Sequence, residues 1–395
     1  MRRVRLKEIG TFYSGLSGKS KSDFSEGNAL LVTYRNIFNN PVLNPAIKDT
    51  VVVGKDEKQN EVLWGDILIT GSSETPADAG MSSVVLFNPQ EKMYLNSFCF
   101  GFRLNDMNEA LPSYIGHLLR STSIRAAISK TAFGVTRFNV NRMRFADIEI
   151  PLPPLNIQKE IVSILDSFTS LIDKMKQEAE MRKKQMDYYR EKLFSFGKEE
   201  CEWRTLNELF TFKNGINKEK NDFGRGTPII NYVDVYRKRG LVKEDIKGLV
   251  NSNASEQSRY KCKKGDVFFT RTSETKEEVG FPAVLLEDIE NCVFSGFVLK
   301  ATPTTDLLDT HYCKYCFFTY QFRKEVIKSA TYTTRALTNG TSLSKISIPV
   351  PSLEKQRQIA SILDTFETYI SKLEKMIVLR QKQYEYYREK LLTFE

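Results

Sequence analysis

The chain has 395 residues, 27% of them charged, and a surplus of Lys and Arg that sets its formal net charge at +9. That length accommodates two or three domains with cores of their own, and the basic balance suits a polyanionic partner without establishing one. The leading MRRVRLKEIG has no apolar h-region and no stretch approaches the ~18 apolar residues of a membrane span, so a cytoplasmic chain without membrane contact is expected, its six scattered cysteines reduced.

The first block, residues 1–150, carries short apolar runs such as Ile67-Leu68-Ile69 and Ser83-Val84-Val85-Leu86-Phe87, bounded by Gly, Asn and Asp. Such runs predict strands. One helix is predicted over residues 113–128. Ile150-Pro151-Leu152-Pro153-Pro154 should then stop any strand and stiffen the exit. Beyond it the apolar period changes: Ile161, Leu165, Phe168, Ile172, Met175, Ala179, Arg182, Met186, Tyr189 and Leu193 step alternately by four and three. That is a heptad seam with charged flanks, and a helix of ~40 residues would span ~60 Å.

The chain then repeats itself. Residues 148–196 realign without a gap on 346–394, with roughly half the positions identical. Thr70-Gly71-Ser72-Ser73-Glu74-Thr75 after Gly65-Asp66 corresponds to Thr270-Arg271-Thr272-Ser273-Glu274-Thr275 after Gly265-Asp266. Leu6 and Gly15 are matched by Leu206 and Gly215, and Tyr114, Arg125, Thr136 and Arg137 by Tyr312, Arg323, Thr334 and Arg335. Strands at Val267-Phe268-Phe269 and Ala283-Val284-Leu285-Leu286, a helix over 310–327, a second Pro-rich exit and a second seam (Ile359, Leu363, Phe366, Ile370, Leu373, Ile377, Arg380, Tyr384, Tyr387, Leu391) complete the copy. The expected fold is α+β, with two pseudo-repeated mixed α/β domains (1–150 and 198–348), each followed by a long coiled-coil helix (151–197 and 349–395). A molecule built this way tends to contact something two-fold, and double-stranded DNA is the commonest such partner.

A heptad seam can serve merely as a hairpin that holds two domains together, which leaves open a protein-interaction scaffold without sequence-specific DNA binding. Two details argue for more. Arg182 and Arg380 occupy seam positions where an apolar residue would pack better, implying a carboxylate or carbonyl partner. Each helix also ends in Tyr-Tyr-Arg-Glu-Lys-Leu, so Tyr188, Tyr189 and Arg190, with Tyr386, Tyr387 and Arg388, form a candidate interface for another protein.

Catalytic constellations fail one by one. Gly15-Leu16-Ser17-Gly18-Lys19-Ser20 is two residues short of a phosphate loop. No GxGxxG follows a strand, and no Asn-Pro-Pro-aromatic segment of an amino-methyltransferase is present. Cys313 and Cys316 align with Ile115 and Leu118, which makes them buried helix residues rather than zinc ligands, so no metal is expected. His117 and His311 are unmatched between copies and have no evident acid–base partner in the sequence.

The duplicated Pro151-x-Pro153-x-Leu155-x-x-Gln158-x-x-Ile161 with Leu165-Asp166, and Pro349-x-Pro351-x-Leu353-x-x-Gln356-x-x-Ile359 with Leu363-Asp364, resembles the specificity (S) subunit of type I restriction-modification systems across essentially the whole chain. The first copy lacks the Trp that the second carries at Trp203. The resemblance implies two target recognition domains, each reading half of a bipartite DNA site, and two helices that pair antiparallel, set the spacer and dock two modification subunits. It implies further that S-adenosylmethionine and ATP belong to the modification and restriction subunits, and that this chain is non-catalytic and holds no cofactor.

Base readout needs Arg, Asn, Ser or Thr on projecting loops. The candidates are Arg35 and Asn36; Ser72, Ser73 and Thr75; Thr136, Arg137, Asn139 and Arg142; and in the second copy Arg271, Thr272, Ser273 and Thr275 with Thr334, Arg335 and Asn339. Positions shared by both copies, such as Thr136/Thr334 and Arg137/Arg335, are assigned to phosphate or fold roles. Positions that differ, such as Gly71/Arg271, are assigned to base contacts.

Overall fold

The structure is a computed structural model that describes residues 2–197 and 200–394; the boundary drawn at Lys198 lies outside the described residues. In the first block the apolar runs form an antiparallel sheet in the order Gly10–Ser14, Cys99–Leu104, Ile67–Thr70, Ser82–Val84. The second block builds the same sheet from Phe210–Asn214, Val298–Pro303, Val267–Thr270 and Pro282–Leu285, and adds Gly240–Leu241 in parallel at its end. Ile67–Thr70 and Val267–Thr270 are buried on both faces, which is why they read as continuous apolar runs rather than alternating ones. A small three-stranded sheet in each block pairs the strand after this run with a later hairpin: Ser72–Ser73 with Phe138–Val140 and Ala132–Phe133, and Thr272–Ser273 with Ala336–Leu337 and Thr331–Tyr332.

The single helix expected over 113–128 is two, Pro112–Leu119 and Thr122–Ser129, and its counterpart is Thr310–Cys316 followed by Tyr320–Ser329. The breaks fall at Ser121 and Thr319, whose backbones are extended while their hydroxyls donate to Leu118 O at 2.7 Å and Cys316 O at 2.9 Å. A short hydroxyl side chain competing for local backbone groups ends one helix and opens the next. The strands do stop at the Pro-rich exits, just before Pro153 and Pro351, but the first proline of each pair does not end them. Pro151 and Pro349 lie inside Glu149–Leu152 and Ser347–Val350, opposite Arg3 and Trp203 in two-stranded ribbons. Every strand of such a ribbon has an open side, where a missing N–H removes no ladder bond.

The seams become two long helices, Leu155–Leu193 and Leu353–Leu392. Every seam residue named above is buried or half-buried except Tyr387. The chain divides into two compact units, Met1–Lys176 with Lys375–Glu395, and Gln177–Glu374. Each therefore combines one block, the start of the helix that follows it and the end of the other helix. In the first unit Phe100, Phe102, Tyr114 and Phe145 share a core with Ile161 and Leu165 of one helix and Tyr384 and Leu392 of the other. In the second, Phe269, Tyr312 and Phe317 pack with Met186 and Phe194 and with Ile359 and Leu363. Phe168 stacks on Tyr387 at 5.4 Å in the first unit and Tyr189 on Phe366 at 5.6 Å in the second, so within each unit the start of one helix meets the end of the other, antiparallel.

The repeated motif residues hold block to helix. Gln158 and Gln356 are fully buried; Gln158 Oε1 accepts from Leu111 N at 2.9 Å while its amide donates to Glu109 O and Pro153 O, and Gln356 does the same with Asp309 N, Leu307 O and Pro351 O. An amide is the one side chain that satisfies a donor and two acceptors at once. The histidines, read from sequence as partnerless, meet the repeated aspartates: His117 Nε2 lies 2.8 Å from Asp166 and His311 Nδ1 2.9 Å from Asp364. Different positions on the preceding helix reach the same acceptor, so aligning the copies conceals the pairing. Burial pushes the Asp364 carboxyl up, but bonds from Lys314 and Tyr315 overcome it and leave it below the usual range. Cys313 and Cys316 are buried, and among the described residues no cluster of three metal-ligating side chains forms.

Candidate nucleic-acid interface

In the first block four segments far apart in sequence converge on one cleft of about 590 Å³, lined by Tyr34, Phe38, Ser72–Thr75, Asp78, Phe98, Thr136 and Arg137. Its floor is the small sheet, where Asn139 stands opposite Ser72 and Phe138 opposite Ser73. Gly71 N donates to Phe98 O at 2.8 Å, and a Cβ at Gly71 would stand 2.6 Å from that oxygen, so this approach needs glycine. Arg137 Nε donates to Ser72 Oγ at 3.1 Å and its guanidinium lies over the Phe98 ring at 5.2 Å. On the short helix Tyr34–Asn39, Tyr34 and Phe38 stack at 5.7 Å.

The candidate residues take different places. Arg35, Thr75, Thr136 and Asn139 are exposed, whereas Ser72 and Ser73 are buried. Thr75 donates to Asp78 at 2.7 Å. Asn36 is committed to a turn, its Oδ1 accepting from Asn40 Nδ2 and Asn44 N. Arg142 folds back, donating to Ser14 Oγ at 2.8 Å over the Phe100 ring, and burial lowers its pKa.

The second block repeats the arrangement with other side chains. Tyr232 and Tyr236 stack at 5.9 Å, and Tyr236 donates to Glu278 at 2.8 Å. Thr334 and Arg335 are exposed, Ser273 is buried, Thr272 is half-buried and Thr275 exposed. Asn339 Oδ1 caps a short helix by accepting from Ser342 N. Arg271 is no projecting fork: its Nη1 donates to Gly296 O at 2.8 Å, and its Nε is buried without a partner. It grips the loop that carries Phe297.

Phe98 and Phe297, 57% and 69% exposed, escaped the reading of sequence. Both sit one residue before a buried strand, where an apolar residue reads as core; the signal available was that each copy repeats an aromatic there. A cleft with an aromatic face, hydroxyls, an arginine and carboxylates presents stacking surface, donors and acceptors, the groups that base edges require.

On the long helices, Arg182 and Arg380 find carbonyl partners in their own helices, Gln185 at 2.9 Å and Gln383 at 2.7 Å. At the tails, Tyr189 stacks on Phe366 as Tyr387 does on Phe168, Arg190 is tied to Asp187 and Glu191, and Arg388 to Glu389. Tyr188 and Tyr386 stand clear. They belong to a second apolar stripe that the repeat duplicates position for position: Ile164/Ile362, Leu171/Tyr369, Met181/Leu379 and Tyr188/Tyr386 are all exposed.

The sequence profile of the type I restriction modification DNA specificity domain matches the chain twice, over residues 1–181 and 198–379. The type I restriction enzyme EcoR124I/EcoR124II specificity subunit of Escherichia coli is 30% identical over 266 residues, covering 62% of this chain and 63% of that protein, so the match spans just under two thirds of that relative's length. A putative type I restriction enzyme specificity subunit of Haemophilus influenzae is 30% identical over 280 residues, 66% of this chain and 68% of its own. The solved S subunit of a type I restriction-modification system from M. genitalium shares the fold, with a TM-score of 0.55 at 16% identity, over 100% of this chain and 96% of that one.

Proposed function

Because the chain belongs to the type I restriction modification DNA specificity family, we propose that it is the DNA-recognition subunit of such a complex, each block (1–150 and 198–348) reading one half of a bipartite site. The observation that carries this is the small sheet that floors the first block's cleft, built twice on one backbone plan with different side chains around it. One scaffold with two linings suits two unlike half-sites. Of the candidates, Arg35, Thr136, Arg137, Thr334 and Arg335, all exposed, would meet phosphate or base, while Asn36, Arg271 and Asn339 would act by holding the loops that do.

The duplicated apolar stripe is the docking surface for two modification subunits, which bind S-adenosylmethionine, with ATP used by restriction subunits; large exposed apolar rows mark protein contacts. Among the described residues no helix is long and apolar enough to cross a membrane, and a cytoplasmic complex on DNA fits that. Methylome sequencing of cells with and without the gene tests the assignment: a bipartite methyladenine motif should vanish on deletion. An unchanged methylome in cells that make the modification subunit would refute it.

Arg271→Ala should weaken binding by about 1–3 kcal/mol through release of the Phe297 loop, and only at the half-site read by residues 198–348. Competition binding with single-base variants checks this; equal loss at both half-sites would place Arg271 on the phosphates.

A further inference from the structure

The tails of the long helices reach into the recognition blocks through a carboxylate. Both Glu389 oxygens accept from Thr122 N, at 2.9 and 3.0 Å, at the first residue of the helix Thr122–Ser129. The preceding Ser121 has turned its hydroxyl back to Leu118 O and makes no side-chain cap, so Glu389 takes the capping place at the positive end of that helix. One turn on, Arg125 donates to Ala77 O, Ala79 O and Gly80 O at 2.6–2.7 Å. Those carbonyls flank Asp78 and continue the chain from the cleft strand Ser72–Ser73.

The second unit repeats the carboxylate and arginine links, although there Thr319 also caps the helix itself, its hydroxyl accepting from Phe322 N at 3.4 Å. Glu191 accepts from Tyr320 N at 2.9 Å, at the first residue of Tyr320–Ser329. Arg323 donates to Gly280 O, Val279 O and Glu277 O at 2.6, 2.7 and 3.0 Å. Burial among carbonyls pushes the Arg323 guanidinium down to about 10. Arg190 and Arg388 hold the two carboxylates from the adjacent position at 3.0 Å. The connection is crossed with respect to sequence: Glu389 follows the second block and serves the first, and Glu191 follows the first and serves the second.

We infer that Glu389 and Glu191 are positioning residues for DNA readout, each setting the reading loop of the block it does not follow through one capped helix and one arginine. This rests on the proposed function. A carboxylate accepting from a helix's first N–H is a strong bond, and the three carbonyls gripped by Arg125 or Arg323 have no freedom left, so a shift of the helix end is passed to the loop.

The test uses the full chain purified with its bound subunits and a pool of duplexes with a randomised central segment, sequenced after selection. Replacing residues 1–150 by those of a relative marks which half-site the first block reads. Glu389→Ala should lower base discrimination about tenfold at the half-site of residues 1–150 and leave the other intact; Glu191→Ala should do the reverse. Glu389→Gln, which keeps an acceptor oxygen, should restore most of the loss. Equal loss at both half-sites, loss at the half-site of the block each residue follows, or no loss overturns the inference. A wild-type selection without any two-part motif would instead overturn the proposed function.

Discussion

Lengthening both long helices by four residues, after Ala179 and after Ile377, should widen the required spacer by about one or two base pairs with both half-sites unchanged. Four residues add one turn, ~6 Å of rise, against ~3.4 Å per base pair. The insertion must be made twice. The same number of residues separates Phe168 from Tyr189 as Phe366 from Tyr387, and these are the residues that stack across the antiparallel pair in each unit. A single insertion would leave one stack out of register and shift the heptad phase. Sequencing the duplexes selected by the doubly inserted chain reads the spacing directly, and retention of the original spacing would assign the distance to the modification subunits.

Lys300→Met should destabilise the second unit by about 3–5 kcal/mol. Asp266 is 1% exposed; its Oδ2 lies 3.0 Å from Lys300 Nζ and accepts from Lys263 N, and its Oδ1 has no partner. Removing the ammonium leaves a buried charge uncompensated, whereas changing Asp266 to Asn in the same chain should recover much of the loss. The equivalent pair in the first block, Arg103–Asp66, has an arginine 39% exposed and a second donor in Tyr13, so Arg103→Met should cost less. The chain has two tryptophans, Trp64 in the first unit and Trp203 in the second. Urea unfolding followed by Trp203 fluorescence in a Trp64→Phe background therefore reports the second unit alone. A midpoint unmoved by Lys300→Met would show that the Lys300–Asp266 pair does not hold the second unit together.

Duplication makes much of this legible in one dimension. A residue that recurs at the same offset in two otherwise divergent blocks is held there by a shared fold, and so Gln158/Gln356, Tyr114/Tyr312 and Arg125/Arg323 stand out in the amino-acid order alone. Their bonds are those of scaffold residues: buried amide, buried hydroxyl, half-buried guanidinium. The heptad seams are readable for a different reason, since burial on one helical face imposes a period that local sequence alone records.

Sequence by itself determined the two-copy architecture, the central strands, the long helices and most of the segments that line the cleft. Tertiary structure alone decided which of those segments meet, that Phe98 lines the cleft and Phe297 is exposed rather than part of the core, that Arg271 grips a carbonyl, and that His117 and His311 reach repeated aspartates. It also decided that Glu389 and Glu191 cap helices in the block they do not follow. The physical reason is range: propensity, capping and periodicity act over a few residues and leave their mark in order along the chain. A hydrogen bond between Thr122 and Glu389 depends on how two elements pack, and nothing in the neighbourhood of either residue encodes the other.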